Sequence, residues 1–197
     1  MSRVRQPAVA MEGLCNPLQQ GFTAIELMVT IAILAVLASL AAPSFKPLIE
    51  RWRVRQTVEG LQSTLYYARS EAIRRGGGIV VEKLPKDTNG CPLAAGNADW
   101  DCGWTVYVTA GHNGLLNGLE LRRMDAPAST TVTRSGTGTN AHRIRLDRWG
   151  NLDGATALEF VVAPHPAGNS SAATKGLCVA PGGRIRIIGQ EQLPCSP

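Results

Sequence analysis

Four residues near the C-terminus, Gly183-Arg184-Ile185-Arg186 in the stretch APGGRIRIIG, have the types and spacing for anion binding. In an extended strand alternate side chains share a face, so Arg184 and Arg186 point one way and Ile185 the other. Their guanidiniums then stand about 7 Å apart, the scale of the phosphate repeat along one nucleic-acid strand. The neighbouring glycines leave room for a ligand backbone to come close. Such a grip holds phosphates and reads no bases. A second run with the same alternation, His142-Arg143-Ile144-Arg145, offers Arg143 and Arg145 as an extension of the patch. The competing expectation for Arg184 and Arg186 is the solvated face of an edge strand, keeping it from pairing with another chain, and for the second run plain sheet surface. No aromatic residues interleave with these arginines, so base stacking does not lead.

Glu26 implies a different chemistry. It lies inside QQGFTAIELMVTIAILAVLASLAAP, residues 19–43, which is almost wholly apolar from Phe22 to Ala42. That run would make a helix of about 30 Å, the thickness of a bilayer core. A charge near the bilayer centre costs about 2.5–3.5 kcal/mol, so a carboxylate kept there needs a partner or a place near the interface. The run is too long for the apolar part of an ordinary secretory signal, and no small-residue cleavage site follows it before Pro43. Arg3 and Arg5 precede it and Lys46, Arg51, Arg53 and Arg55 follow, so charge counting leaves its orientation open.

Cys15 precedes the apolar run, and Cys91, Cys102, Cys178 and Cys195 follow it. Two pairs beyond a membrane segment suit two disulfides in an oxidising compartment. The local pairing Cys91–Cys102 and Cys178–Cys195 closes the shortest loops, with the other two connectivities also open. There is no CxxC, and His112, His142 and His165 lack ligand spacing, so no metal site and no cofactor are expected. The loop TAGHNGLLNGLEL has one carboxylate, Glu120, and suits a hairpin better than calcium. Enzyme chemistry finds no support: Gly76-Gly77-Gly78 lacks the lysine of a phosphate loop, and neither a nucleophile elbow nor a paired-carboxylate constellation is present. A net charge of +5 permits an anionic partner without requiring one.

The elements that must position these residues follow from periodicity. Pro43 and Pro47 interrupt the helix. Phe45, Leu48, Ile49 and Trp52, then Val54, Val58, Leu61, Leu65, Ala68 and Ala72, fall at helical steps and predict a half-buried stripe. Arg74-Arg75 before three glycines is a stop signal, so the helix is expected from about Phe22 to Arg75. Beyond it GIVVEKL, GWTVYVT, LELRRM, TTVTR, HRIRLD, ALEFVV, GLCVA and GRIRII read as short strands between turn residues. The fold class expected is α+β, a long N-terminal helix laid on an antiparallel β domain.

Gly21-Phe22-Thr23-Ala24-Ile25-Glu26-Leu27-Met28 resembles the processing signal of type IV prepilins and type II secretion pseudopilins. The cues YYARSEAIRRG, DCGWTVYV and the closing GLCVAPGGRIRI resemble the FimT/GspH branch, with nearly all of the chain from Gly21 covered. The resemblance implies the pilin fold and a prepilin peptidase as first partner. The peptidase would cut after Gly21 on the cytoplasmic side and N-methylate Phe22. The freed amine of one subunit would pair with Glu26 of another. Gln19 and Gln20 stand where a basic residue is common in the family, and Met11 is a second candidate start beside Met1.

The organisation implied is a leader over 1–21, a helix over 22–76 and a periplasmic β-rich domain over 77–197. Within the helix, 22–42 would span the inner membrane once and 44–75 would be amphipathic. Further partners implied are other pilins, major and minor, the inner-membrane assembly platform, and double-stranded DNA bound without sequence preference. In FimT-like minor pilins a GRxR motif is associated with DNA binding during natural transformation, which implies that role for Gly183, Arg184 and Arg186. The function expected is that of a minor type IV pilin, acting in pilus assembly or initiation and in DNA binding, with incorporation into the pilus at the cell surface. The alternative is the minor pseudopilin H of a type II secretion system, with no DNA role.

Overall fold

A computed structural model describes residues 21–111, 118–125, 127–135, 140–154 and 157–196, with backbone alone at 41–44. Residues 1–20 of the leader, Cys15 among them, and residues 112–117 of the 109–121 loop, His112 among them, lie outside the described residues. By its contacts the chain divides into two units, Met1–Pro43 and Ser44–Pro197.

Helix α1 runs Ala24–Arg75. Thr23 caps its start: the Thr23 carbonyl accepts from the Leu27 N–H, and its hydroxyl accepts from the Glu26 N–H at 3.3 Å. In the N-terminal unit the apolar side chains from Phe22 to Leu40 are exposed. Among the described residues no single helix is long and apolar enough to cross a membrane; Ala24–Leu40 and Phe45–Arg75 meet that requirement only as a pair.

In the second unit the buried stripe of α1 comprises Val54, Val58, Leu61, Leu65, Ala68 and Ala72. Three buried polar residues, Thr57, Thr64 and Glu71, recur one heptad apart on the same face, and each is partnered. Thr57 meets Thr130 at 3.2 Å, Thr64 accepts from the Trp104 indole at 3.1 Å, and Glu71 accepts from Arg74 and Arg75 at 2.6 and 2.7 Å. Those two guanidiniums, Arg74 first, hold the Glu71 carboxyl below its ordinary range. The expected stripe is shorter than its spacing suggested. Phe45, Leu48, Ile49 and Trp52 are exposed, because the β domain covers the helix only from Val54 onward. The helix ends as its glycines require: the Gly77 N–H reaches back to the Ala72 carbonyl at 2.8 Å, and Gly76 and Gly77 take φ of 74° and 102°.

Among the described residues, eight strands follow where the alternation placed them. They are β1 (Ile79–Lys83), β2 (Gly103–Val108), β3 (Leu119–Asp125), β4 (Thr130–Ser135), β5 (Arg143–Leu146), β6 (Leu158–Pro164), β7 (Lys175–Val179) and β8 (Ile185–Gly189). They form two antiparallel sheets, ordered β3-β2-β1-β5 and β4-β6-β7-β8. Inward residues of both sheets, among them Val81, Trp104, Val106, Phe160 and Leu177, join the helix stripe in one core. Trp100 meets Phe160 edge-on at 5.1 Å.

Two cations brace the loops by capping carbonyls. Lys83 donates to Ala94, Gly96 and Asp99, and Arg134 donates to Asn140, Ala141 and Arg143. Both local disulfides are closed, Cys91–Cys102 with Cα atoms 5.5 Å apart and Cys178–Cys195 at 5.8 Å. Strands β5 and β8, which carry the two arginine runs, are edge strands of different sheets.

Candidate functional site

The β7–β8 hairpin presents the GRIR residues. Val179 pairs with Ile185, the Ala180 N–H reaches the Arg184 carbonyl at 2.9 Å, and the Gly183 N–H reaches the Ala180 carbonyl at 2.8 Å. With Pro181 at the first central position and Gly183 at φ +78°, this is a type I turn followed by a one-residue bulge. Gly183 is buried, and a Cβ there would lie 2.4 Å from Nη1 of Arg69. Gly183 therefore serves the turn and the packing of Arg69, while exposed Gly182 is the glycine with open space around it.

Arg69 comes from α1 and ties the hairpin down. Its Nη1 donates to the Gly182 carbonyl at 3.0 Å. Its stem crosses Gly150, where φ is +75° and a Cβ would lie 2.6 Å from Arg69 Cγ. The turn over 147–151 and the turn over 180–184 thus lie side by side, joined further by the Leu152 N–H donating to Pro181 at 3.2 Å.

Arg184 and Arg186 are both exposed, while Ile185 packs against the core. Arg186 lies opposite Cys178 in register. The tail beyond Gln192 crosses the outer face of this sheet. Cys195 is bonded to Cys178, its N–H donates to Glu159 at 3.1 Å, and the Ser196 carbonyl accepts from Arg186 at 3.0 Å. A groove of about 530 Å³ runs here, bounded by Arg184, Arg186, Pro181 and the Cys178–Cys195 bridge.

A second groove of about 510 Å³ holds Arg143 and Arg145 and shares Ala157 and Leu158 with the first. The two arginine runs are therefore neighbours, although far apart in sequence. Their surroundings differ. Asp153 lines the second groove. Glu82, which pairs with Arg143 in register, accepts from the Tyr107 hydroxyl at 2.5 Å, and His142 lies 3.8 Å from it. Burial first, then Glu82, pushes the Tyr107 phenol up to about 12. Arg143 and Arg145 thus sit on a mixed-charge face, and Arg134 beside them is spent on carbonyls.

Three further residues at the hairpin have no local signature in their arginine or glycine runs: Arg69, Arg148 and Trp149. The available signal was Asp147-Arg148-Trp149-Gly150-Asn151, in which an Asx turn and a glycine hold a large aromatic at the surface. The Asp147 carboxylate accepts from the N–H groups of Trp149 and Asn151 at 2.9 and 2.8 Å. Gly21, Phe22 and Glu26 belong to the N-terminal unit. Gly21 and Phe22 precede the helix, and Glu26 falls in its first turn, where a carboxylate also suits the helix dipole.

Comparison with known proteins converges on the same fold. A family profile described as Type II transport protein GspH matches residues 57–183. A second, the prokaryotic N-terminal methylation motif, matches residues 16–42. A fimbrial protein of Pseudomonas aeruginosa is 41% identical over 70 residues, 36% of this chain; the match spans 45%, about half, of that relative's length. The type IV major pilin protein PilE1 of Neisseria gonorrhoeae is 28% identical over 154 residues, covering 76% of this chain and 72% of that one. The crystal structure of the Pseudomonas aeruginosa type IV minor pilin FimU superposes with a TM-score of 0.56 at 22% identity, covering 74% of this chain and 96% of FimU. A methylation motif at the head of a long helix, and a GspH profile over most of the β domain, make this chain a member of the type IV pilin and pseudopilin family, in its GspH branch.

Proposed function

We propose that this protein is a minor type IV pilin that acts in pilus assembly and holds double-stranded DNA, without sequence preference, for uptake. The observation that carries the DNA reading is the pair Arg184 and Arg186, exposed on a hairpin that Arg69, Gly183 and the Cys178–Cys195 bridge hold in place. Two adjacent guanidiniums neutralise two phosphates and release their counterions. Arg143 and Arg145 extend the positive surface across the shared Ala157–Leu158 wall.

In this reading a prepilin peptidase cuts after Gly21 and methylates Phe22, and Glu26 receives a neighbouring subunit's amine inside the helix bundle. The exposed apolar side chains from Phe22 to Leu40 support a single inner-membrane anchor and a place among other pilins at the assembly platform. The disulfides support a periplasmic position for the β domain. The protein works by binding and assembly, not by catalysis.

In the native host, a strain carrying R184A/R186A is expected to keep wild-type piliation and lose DNA uptake. Undiminished uptake in that strain would overturn the DNA reading. The description of the family profile favours one other reading, the minor pseudopilin H of a type II secretion system. There, deleting the protein blocks export of secreted proteins and leaves piliation intact.

A further inference from the structure

Two of the four tryptophans, Trp100 and Trp104, are fully buried; Trp52 on α1 and Trp149 are exposed, and of these Trp149, at 67%, stands at a turn tip beside the arginine hairpin. The turn that carries it is not loose. Asp147 locks the Trp149 and Asn151 N–H groups, Gly150 packs against Arg69 and Ile73, and a Cβ at Gly77 would lie 3.4 Å from the Arg148 nitrogen. The tip is thus fixed to the end of α1. The Arg148 guanidinium lies 5.5 Å from the centroid of the Trp149 ring.

The turn that leads into Arg184 adjoins the turn that carries this ring. Gly150 follows Trp149, and the Gly150 carbonyl is 3.4 Å from where a Cβ of Gly183 would be, immediately before Arg184. Arg69 bridges the two turns. The carboxylate nearest in sequence, Asp147, is occupied by backbone donors of its own turn. The surface therefore joins a preset aromatic plane to Arg69, Arg148 and Arg184. This is the combination that holds unpaired nucleotides: cations track the backbone and an aromatic face receives a base. In a duplex both faces of each internal base are already covered, so the ring finds a partner only where bases are unpaired.

We propose that Trp149 is a base-stacking residue, and that the hairpin surface takes single-stranded DNA, or the unpaired end of a duplex, with a base on Trp149 and phosphates on Arg184 and its neighbours. The proposal rests on the DNA-binding reading of Arg184 and Arg186 and adds to it the form of DNA that is held best.

The test uses the full chain in neutral detergent, with a short single strand and a duplex of the same sequence. Because stacking contributes about 1–3 kcal/mol per base, W149A is expected to weaken single-strand binding about 5- to 140-fold. W149F should retain most of the affinity, and duplex binding by both variants should change less than about twofold. Tryptophan emission of the wild type should be quenched by the single strand more than that of W149F. Equal loss of single-strand and duplex binding in W149A, or no loss in either, would overturn the stacking role while leaving R184A/R186A to report on the phosphate grip. A wild-type chain that binds neither form would overturn both readings.

Discussion

Arg69 is the residue on which the candidate surface turns. One side chain spans two glycine turns, its stem at Gly150 and its guanidinium at Gly183, and both glycines hold positive φ where its atoms pass. An alanine at Gly183 would carry a left-handed backbone and a Cβ 2.4 Å from Arg69 Nη1. G183A is expected to destabilise the fold by about 1–3 kcal/mol, read by denaturant unfolding, and to weaken DNA binding although no charge is lost. An unchanged midpoint would show that the turn tolerates a side chain and that Arg69 is not seated there. The arginines of GRIR were legible in the sequence because strand alternation is a local rule. Arg69 was not: residues 69 and 182 meet only through folding, and nothing in either neighbourhood encodes the other. Gly183 was visible as a glycine, but its reason, a bulge under a helix arginine, is tertiary.

At the scale of elements, α1 is two objects joined at Pro43. The segment from Val54 is a core helix, buried on a heptad stripe whose polar members are all partnered. The segment from Ala24 to Leu40 is largely apolar and exposed around its circumference. An unbroken apolar run marked the first segment, and periodicity marked the second and the strands, because helical and strand repeats are properties of short windows. It overran at Phe45–Trp52, since a repeat tells which face is apolar and not whether a sheet is present to cover it. The tail is the other positioning element. The Cys178–Cys195 bridge closes 17 residues of chain, a loop length for which about 3 kcal/mol of stabilisation is expected. It also keeps Ser196 beside Arg186. The start of α1 carries its own consequence. Gly21, Phe22 and Thr23 lie outside the helix, with Thr23 as the cap, so the bond after Gly21 is free of helical hydrogen bonds. Mass spectrometry of the protein from its host is expected to find an N-methylated Phe22 as first residue. A mature chain beginning at Met1 or Met11 would contradict the processing signal.

At the scale of the whole molecule, the net charge of +5 is modest, and its arrangement matters more than its size. Arginines at edge strands β5 and β8 converge along two joined grooves, while Glu82 and Asp153 temper the β5 side. Composition alone allowed an anionic partner; only the fold brings the two runs together. Affinity built from phosphate contacts must carry a salt signature, and that signature is the most direct test of the central claim. The measurement is the DNA affinity of the full chain and of R184A/R186A across a range of salt concentrations. For the wild type, log Kobs is expected to fall linearly with log salt, and the double variant should bind more weakly with a slope shallower by about two units, one per lost phosphate contact. Parallel lines of equal affinity would contradict the assignment of Arg184 and Arg186 to the DNA backbone.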